Sequence, residues 1–390
     1  MILKTRTTLF LATGLALLPL AACRHSDFPQ YPPDYREYAY VTNGGSGTVS
    51  AIDVVNIRVD REIAVGMNPV AVAPSPTRNE VYVVNQGPEN GSGSLAVLNA
   101  ENNSLAALIP VHRQPSALDV DADGDSVWVA NAGSNSVSLV DLRSRHEVAQ
   151  IGVGEEPVAL RLTPDGKTLV VANRHSNSVS ILDTASRRLR AAFDGCPGAG
   201  DVTILPDSSK AFIACTGGHQ ILAVSLAHAQ SAKNPAPSHP DRVESLLDVG
   251  HAPQQLALKP DGGELFSLNS GSNTISEVIT GTNDVNSSIL MGDGPARGLV
   301  TADNSLMYVS NQHSQEVTIY AIDDGKRRQA IHVGDGPGAM AFSTAGHLLL
   351  VADSRSNDVA VVRTSSHSLF NLLQAGRGPN AIAIKAFRQK

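Results

Sequence analysis

The stretch "VALRLTPDGKTLVVANRHSNSVSILDTASRRLRAAF" runs from Val158 to Phe193 and contains four apolar, β-branched segments separated by turn residues. Apolar and polar residues alternate in its "SVSILD" segment, which is typical of a half-buried strand. Its Pro-Asp-Gly and Ser-Asn pairs have the backbone preferences of tight turns. The stretch therefore predicts four short antiparallel strands, and helical periodicity is not sustained anywhere after residue 22.

The same unit recurs along the chain with a period of roughly 42 residues. Segments related to "YVTN" end at Asn43, Asn85, Asn131, Asn173, Cys215, Asn269, Asn311 and Asp353. A turn related to Gly-x-x-Pro ends at Pro69, Pro115, Pro157, Pro197, Pro253, Pro295, Pro337 and Pro379. Four strands in a repeat of this length are typical of a β-propeller blade. The sequence therefore predicts an all-β domain over residues 38–390 with eight four-stranded blades, or seven if the irregular fifth unit is not a blade.

The two ends of this domain complement each other. The segment "NAIAIKAF", which follows Pro379, resembles the first strand of a unit whose other strands are missing. Residues 38–66 resemble a unit that lacks its first strand. Pairing the two segments would close the ring with a composite blade and leave no exposed sheet edge at the join.

The repeated "YVTN", "PDG", "SNSVS" and Gly-x-x-Pro segments together resemble the YVTN-repeat family of β-propellers. The resemblance covers the whole predicted domain. Relatives in that family include surface-layer proteins, lactonase-like propellers and the haem-binding propeller of nitrite reductases. Known members mostly have seven blades, so a count of eight departs from the usual pattern.

The N-terminus has the features of an export signal. Lys4 and Arg6 precede an apolar run that is too short for a membrane span, and small residues precede Cys23. This resembles a bacterial lipoprotein signal over residues 1–22, in which Cys23 becomes the lipidated first residue. Residues 23–37 then form a tether, and Arg24 after the cysteine implies the outer membrane, facing the periplasm or the cell surface. The alternatives are an ordinary cleaved signal and a fortuitous Ala-Ala-Cys.

The charge of the chain limits its partners. The formal net charge is −7, and loss of Lys4 and Arg6 with residues 1–22 gives −7 − 2 = −9. Because no cluster of Lys and Arg interrupts this acidic balance, nucleic acid is a poor candidate ligand. Residues 38–390 contain no further apolar run that is long enough for a membrane helix. We therefore expect a monomer that contacts the membrane only through its lipid.

Two cysteines remain besides Cys23. Cys196 lies at the start of the first strand of unit five, and Cys215 ends its second strand. These positions are neighbours in an antiparallel pair, and export favours oxidation, so we predict a disulfide with a structural role. Two free thiols are the alternative.

Five histidines fall on one face of the predicted ring. Strands in a blade alternate in direction, so the Gly-x-x-Pro turns and the loops between second and third strands lie together; we call this the loop face. Loops that converge on a concave mouth commonly bind ligands. The histidines on it are His112, His175, His219, His251 and His313. They are candidate metal or haem ligands, or else solvated loop residues, since each is far from the others in sequence.

Charged residues also occur in the innermost strands. Four residues after the landmark proline the residue is usually small, but three neighbouring units have Asp119, Arg161 and Asp201. Buried charges must be paired, so an alternating ladder of charges is expected across these strands. It is either an internal ion pair that fixes the register of these blades or a polar patch that recognises a ligand in the channel.

The segment "DVDADGD" resembles a calcium loop. Asp121, Asp123 and Asp125 alternate before a sharp turn at Gly124, and carboxylate oxygens are the ligands that Ca²⁺ prefers. The late acidic ligand of such loops is missing, because Val127 and Ala130 occupy those positions. A solvated acidic hairpin is the alternative, and no other cofactor is predicted.

The motifs of common enzyme classes are missing from the sequence. There is no Gly-x-Ser-x-Gly, His-Glu-x-x-His or phosphate-binding glycine loop. The favoured hypothesis is a non-catalytic envelope lipoprotein whose loop face binds a protein, an envelope component or a small molecule. The first alternative is a lactonase-like hydrolase that uses His and Arg residues at the channel mouth. The second is a periplasmic redox propeller that holds haem or a quinone.

Overall fold

The computed structural model describes residues 29–227, 229–231, 234–237 and 240–389. Residues 1–28, which include the predicted signal peptide and Cys23, lie outside the described residues. Eight four-stranded antiparallel sheets are arranged as the blades of a β-propeller. The prediction of an all-β propeller with eight blades is confirmed. Among the described residues, no helix has the length and apolar character needed to cross a bilayer.

The first half of the ring contains four blades, whose strands are named from the innermost to the outermost. Blade 1 contains β34 (Pro379–Arg388), β1 (Tyr35–Asn43), β2 (Thr48–Asp53) and β3 (Arg58–Ala64); blade 2 contains β4 (Pro69–Pro74), β5 (Glu80–Asn85), β6 (Ser92–Asn99) and β7 (Ser104–Arg113). Blade 3 contains β8 (Pro115–Val120), β9 (Ser126–Asn131), β10 (Ser136–Asp141) and β11 (His146–Gly152); blade 4 contains β12 (Pro157–Leu162), β13 (Thr168–Asn173), β14 (Ser178–Asp183) and β15 (Arg188–Asp194).

The second half of the ring repeats this plan. Blade 5 contains β16 (Ala199–Ile204), β17 (Lys210–Cys215), β18 (Gln220–Ser225) and β21 (Arg242–Asp248); between the last two lies the hairpin β19 (Ala229–Ser231) and β20 (Asn234–Pro237). Blade 6 contains β22 (Pro253–Leu258), β23 (Glu264–Asn269), β24 (Thr274–Ile279) and β25 (Asp284–Leu290). Blade 7 contains β26 (Pro295–Val300), β27 (Leu306–Asn311), β28 (Glu316–Ala321) and β29 (Lys326–His332); blade 8 contains β30 (Pro337–Phe342), β31 (Leu348–Asp353), β32 (Asp358–Arg363) and β33 (Ser368–Gln374).

The hydrophobic core lies between neighbouring blades. The second and third strands of each blade are buried along most of their length, whereas the outer strands are largely exposed. One interface, between blades 2 and 3, packs Tyr82, Val84, Leu118 and Val127. Burying side chains of this size stabilises a fold by about 1.5–3 kcal/mol each. The ring therefore depends on every blade having two neighbours.

The asparagine that ends the second strand explains much of the repeated sequence. In blade 4, Asn173 Nδ2 donates to Ser178 Oγ at 3.2 Å and to Ser180 Oγ at 3.0 Å. A side chain added at Gly154, in the preceding turn, would lie 2.7 Å from the amide of Asn173. The two hydroxyl residues therefore satisfy the buried Nδ2 donor, and the turn glycine leaves room for the amide.

Blade 5 replaces this arrangement with a disulfide. Cys196 and Cys215 are joined, with their sulfur atoms 2.11 Å apart, as the sequence predicts. Cys215 occupies the asparagine position and Cys196 the turn glycine position, because β16 pairs Ala199 with Cys215. The residue that corresponds to the landmark proline is therefore Ala199. Pro197, which the repeat pattern placed there, lies two residues earlier.

The composite blade is present as predicted. β34 pairs with β1 in antiparallel register, from Asn43 opposite Pro379 to Tyr35 opposite Arg388. β1 begins at Tyr35, so regular structure starts within the segment interpreted as a tether and ahead of the boundary placed at residue 38. The buried carboxylate of Glu37 also accepts a hydrogen bond from Thr344 N at 2.6 Å, which joins blade 1 to blade 8.

Candidate functional site

A cavity of about 470 Å³ occupies the central channel, and all eight blades contribute to its wall. The first strand of each blade contacts the first strands of both neighbours, so these strands enclose the axis. The landmark turns and the second-to-third-strand loops lie together at one end, as predicted for the loop face. In blade 1, for example, Gly44 N donates to Gly378 O at 3.0 Å and Gly45 N to Arg377 O at 2.9 Å.

Two arginines of the innermost strands line this cavity from separate blades. Arg161 lies on β12 of blade 4 and Arg297 on β26 of blade 7, and both side chains are exposed to the channel. Within the described residues, neither guanidinium forms a hydrogen bond or an ion pair. A third arginine, Arg174, follows β13 and lies 3.7 Å from Glu156, which balances its charge. Arg161 and Arg297 therefore face the cavity without a protein counter-ion in contact.

Asp119 does not form the contact ion pair expected with Arg161. Its Oδ2 accepts a hydrogen bond from Leu162 N at 2.8 Å, and its Oδ1 accepts one from Val120 N at 3.0 Å. Burial raises the pKa of Asp119, and the positive charge of Arg161 opposes that rise. Asp119 therefore joins β8 to the backbone of β12, one residue after Arg161.

The predicted ladder of charges is also wrong at Asp201. Because Ala199 is the equivalent of the landmark proline, Asp201 lies two residues into its strand, while Asp119 and Arg161 lie four residues in. Asp201 lines the channel, and its Oδ2 accepts a hydrogen bond from Leu256 N of blade 6 at 2.9 Å. The described residues contain no ion pair between Asp201 and Arg161 within 4.0 Å.

The position of Asp201 is shared by two residues that the sequence reasoning missed. Gln255 and Arg297 also lie two residues into their strands, in a column otherwise filled by alanines. Gln255 Oε1 accepts a hydrogen bond from Gly298 N at 2.6 Å. Arg161 and Arg297 thus each precede a residue whose backbone N–H is bound by the preceding blade, through Asp119 in one case and Gln255 in the other.

The five histidines are dispersed around the loop face, and none is among the described residues that line the channel cavity. His219 and His251 are the pair that comes together, with ring centroids 5.7 Å apart. The other three lie beside acidic residues of their own or a neighbouring blade: His112 Nε2 is 3.1 Å from Glu147 Oε1, His175 Nε2 is 3.7 Å from Glu155 Oε2 and His313 Nδ1 is 3.7 Å from Asp293 Oδ1. Their separation does not fit a shared metal or haem site.

The carboxylates of the calcium-like segment point to different partners. Asp121 Oδ1 accepts a hydrogen bond from Trp128 Nε1 at 3.1 Å, and Asp123 Oδ1 accepts one from Asp125 N at 3.0 Å. Asp125 instead binds two arginines, Arg78 at 2.7 Å and Arg143 at 2.6 Å. In the part of the chain that the structure describes, no three His, Cys, Asp or Glu residues are grouped to hold a metal ion. The segment does not fit a calcium site.

The family model of the YNCE-like beta-propellers matches residues 93–389 of the sequence. The chain belongs to this family. The match covers the ring from β6 onward, which includes Arg161 and Arg297. The resemblance to YVTN-type propellers is thereby confirmed at the level of fold and family.

Several solved structures resemble this YNCE-like propeller. AztD from Citrobacter koseri, in its apo form, is 14% identical with a TM-score of 0.67, and the match covers 91% of this chain and 99% of AztD. The periplasmic gluconolactonase PpgL from Pseudomonas aeruginosa is 18% identical with a TM-score of 0.61, over 90% and 98% of the two chains. A putative 6-phosphogluconolactonase from Bacteroides uniformis is 16% identical with a TM-score of 0.61, over 90% and 100%.

These likenesses establish the fold of the YNCE-like propeller and no activity, because propellers of one architecture have many unrelated functions. No curated protein matches the sequence. The function must therefore be inferred from the residues that line the channel.

Proposed function

We propose that this protein is a cell-envelope lipoprotein whose propeller binds a small anionic molecule in its central channel. The observation that carries the proposal is that the guanidinium groups of Arg161 and Arg297 face one cavity and that neither contacts an acidic residue. The chain as a whole has a formal net charge of −7. Positive charge that faces an enclosed cavity in an acidic protein is best explained by a negatively charged ligand.

The chemistry of the two arginines favours carboxylate or phosphate groups. A guanidinium presents its donors in a planar fork that matches the two oxygens of such an anion. The nearby acidic groups do not compete for this role, because Asp119 and Asp201 accept backbone N–H groups of the adjacent blades. A bound anionic group would therefore pair with a guanidinium without displacing a protein partner.

Hydrolysis of a lactone receives less support from the same wall. General acid–base catalysis needs a titratable group within hydrogen-bond reach of the substrate. Neither His nor Glu is present among the described residues that line the channel, and Asp201 already accepts a hydrogen bond from Leu256 N. The residue types in the channel therefore favour ligand binding over hydrolysis. A protein or envelope component at the loop face would be an additional partner.

Replacing either Arg161 or Arg297 is expected to weaken anion binding by about 10- to 100-fold, because one charge-assisted contact is worth about 1.5–3 kcal/mol. Arg161→Gln and Arg297→Gln should both show this loss when citrate, which has several carboxylates, is titrated into the purified protein in a calorimeter. Arg143→Gln is the matched control, since Arg143 binds Asp125 outside the channel. Anion binding that survives both channel substitutions would contradict the proposal, as would a wild-type protein that binds none of citrate, inorganic phosphate and straight-chain dicarboxylates.

Anchoring is expected to depend on Cys23 alone. Cys23→Ser removes the thiol that would carry the lipid, so the protein should move from the membrane fraction to the soluble periplasmic fraction with unchanged thermal stability. Fractionation of cells and mass measurement of the N-terminal peptide test this. A variant that stays in the membrane fraction would show that another feature holds it there. Sucrose-gradient separation of inner and outer membranes tests the predicted outer-membrane location of the wild-type protein.

A further inference from the structure

We propose that the channel ligand is an elongated dianion, with one anionic group bound by Arg161 and the other by Arg297. This inference rests on the proposed function, because it specifies the ligand class of the same site. It follows from where the two arginines lie on their strands, from the wall between them and from how their backbones are held.

The two guanidinium groups come from different depths of the channel. β26 begins at Pro295 and carries Arg297 two residues later, whereas β12 begins at Pro157 and carries Arg161 four residues later. Both strands start at the loop face. With a rise of about 3.3 Å per residue, Arg161 is attached about 6–7 Å farther from that face than Arg297.

The arginines also approach from nearly opposite sides. Blades 4 and 7 are three steps apart in a ring of eight, where four steps would be directly opposite. A single carboxylate offers one pair of oxygens and can satisfy one guanidinium fork fully. A ligand with one such group would leave the second arginine unpaired, whereas a ligand with an anionic group at each end pairs both.

The wall between the arginines is mostly polar. Between blades 4 and 7 it includes Asp201, Thr216, Gln254 and Gln255. Ligand pockets fix the orientation of their ligands with a few placed polar groups of this kind. A cavity of about 470 Å³ has room for a small molecule and excludes a folded partner. The part of the ligand that joins its two anionic groups is therefore expected to lie beside polar side chains.

Both arginines are held on rigid backbone, which should make the site selective for ligand length. Asp119 binds Leu162 N next to Arg161, and Gln255 binds Gly298 N next to Arg297. A side chain added at Gly298 would lie 3.0 Å from Leu268 Cδ1 and 3.1 Å from Ala257 Cβ, so β26 packs closely against blade 6. Sites whose charged groups are fixed in this way discriminate by the distance between the groups that they bind.

Straight-chain dicarboxylates from succinate to azelate, titrated into the purified full-length protein by calorimetry, test the inference. Hexanoate and octanoate serve as monoacids of comparable length. We expect one chain length to bind best and at least tenfold more tightly than either monoacid. Arg161→Gln or Arg297→Gln should reduce that diacid to the affinity of the monoacids, and the double variant, which keeps neither guanidinium, should bind it more weakly still.

The possible failures are distinguishable. Diacids and monoacids that bind equally, with each arginine variant weakening both, would overturn the dianion and leave the anion-binding function standing. A folded protein that binds none of these acids, nor citrate or phosphate, would overturn both. Asp119→Ala and Asp119→Asn test the positioning role: loss of the acceptor in the alanine variant should broaden the length preference, and the asparagine variant, which keeps an acceptor oxygen, should retain it.

Discussion

Deletion of residues 379–390 is expected to leave no folded domain. The deletion removes β34, the innermost strand of blade 1, along with its whole register against β1. It also removes contacts with the next blade, where Asn380 Nδ2 donates to Pro69 O at 3.0 Å and Lys385 Nζ to Ser75 O at 2.7 Å. A typical domain is stable by only about 5–15 kcal/mol, and the loss of a whole strand with its apolar burial is of at least that order. Circular dichroism and the yield of soluble monomer measure the outcome.

Two further variants make this prediction specific to ring closure. A chain that ends at Phe387 keeps nearly all of β34 and should melt close to the wild-type temperature. A permuted chain that begins at residue 378, runs to 390 and then continues from residue 29 to residue 377 places all four strands of blade 1 in sequence, and it should fold. A truncated protein lacking residues 379–390 that melts like the wild type would show that the composite blade does not hold the ring together.

The repeated sequence was sufficient to predict the fold because nearly every blade packs the same buried side chains in the same way. The asparagine, its two hydroxyl partners and the turn glycine are fixed in spacing by one buried amide, as at Asn173 and Gly154. Spacing of this kind can be read directly along the chain. The disulfide was predictable for the same reason, since Cys215 stands in the asparagine position.

The channel was less predictable because its residues interact across blades. Asp201 was assigned to the wrong position, since Pro197 precedes the true start of β16 at Ala199 by two residues. Arg297 was not predicted, because the charge ladder was predicted for the fourth residue after each landmark proline. Arg297 lies two residues into its strand. The signal in the sequence was that Arg297 occupies a strand position that is alanine in most of the other blades. The hydrogen bonds of Asp119 and Gln255 to the next blade leave no trace in local sequence, because they join residues 43 apart.

Blade 8 departs from the asparagine rule in a way that affects stability. Asp353 ends β31 in the asparagine position, is fully buried, and is paired in register with Asp358 at the start of β32. The other acceptor of the motif is replaced by Ala360. Burial, followed by the proximity of Asp358, raises the pKa of Asp353 to about 8 from its ordinary value of 3.8, although Gly334 N donates to its Oδ2 at 3.1 Å. The folded protein therefore keeps this carboxyl protonated at neutral pH.

Asp353→Asn is expected to stabilise the protein at pH 8 by about 5 kcal/mol, with a gain that shrinks toward pH 4. The unfolded chain loses the proton near pH 3.8, whereas the folded chain keeps it until about pH 8. The stability contributed by this carboxyl is therefore complete below pH 3.8 and falls as the pH rises to 8, by at most about 1.4 kcal/mol per pH unit. An amide has no proton to lose and can donate to Asp358, as asparagine donates in the other blades. Urea unfolding at several values between pH 4 and pH 8 measures the difference.

Asp303→Asn is the matched control, because the same substitution should show almost no pH dependence there between pH 4 and pH 8. Hydrogen bonds from Thr301 Oγ1 at 2.5 Å and Ser305 N at 3.1 Å lower the pKa of Asp303. Its contribution to stability is present above its unfolded pKa of 3.8 and is lost only below that value, so the variant should be less stable than wild type by a nearly constant amount over this range. A difference between Asp353→Asn and wild type that does not vary with pH, or a variant that is less stable at pH 8, would contradict a protonated Asp353. A pH-dependent gain in Asp353→Asn beside a constant loss in Asp303→Asn would show that the buried acid, rather than the change of residue type, sets the pH dependence of the ring.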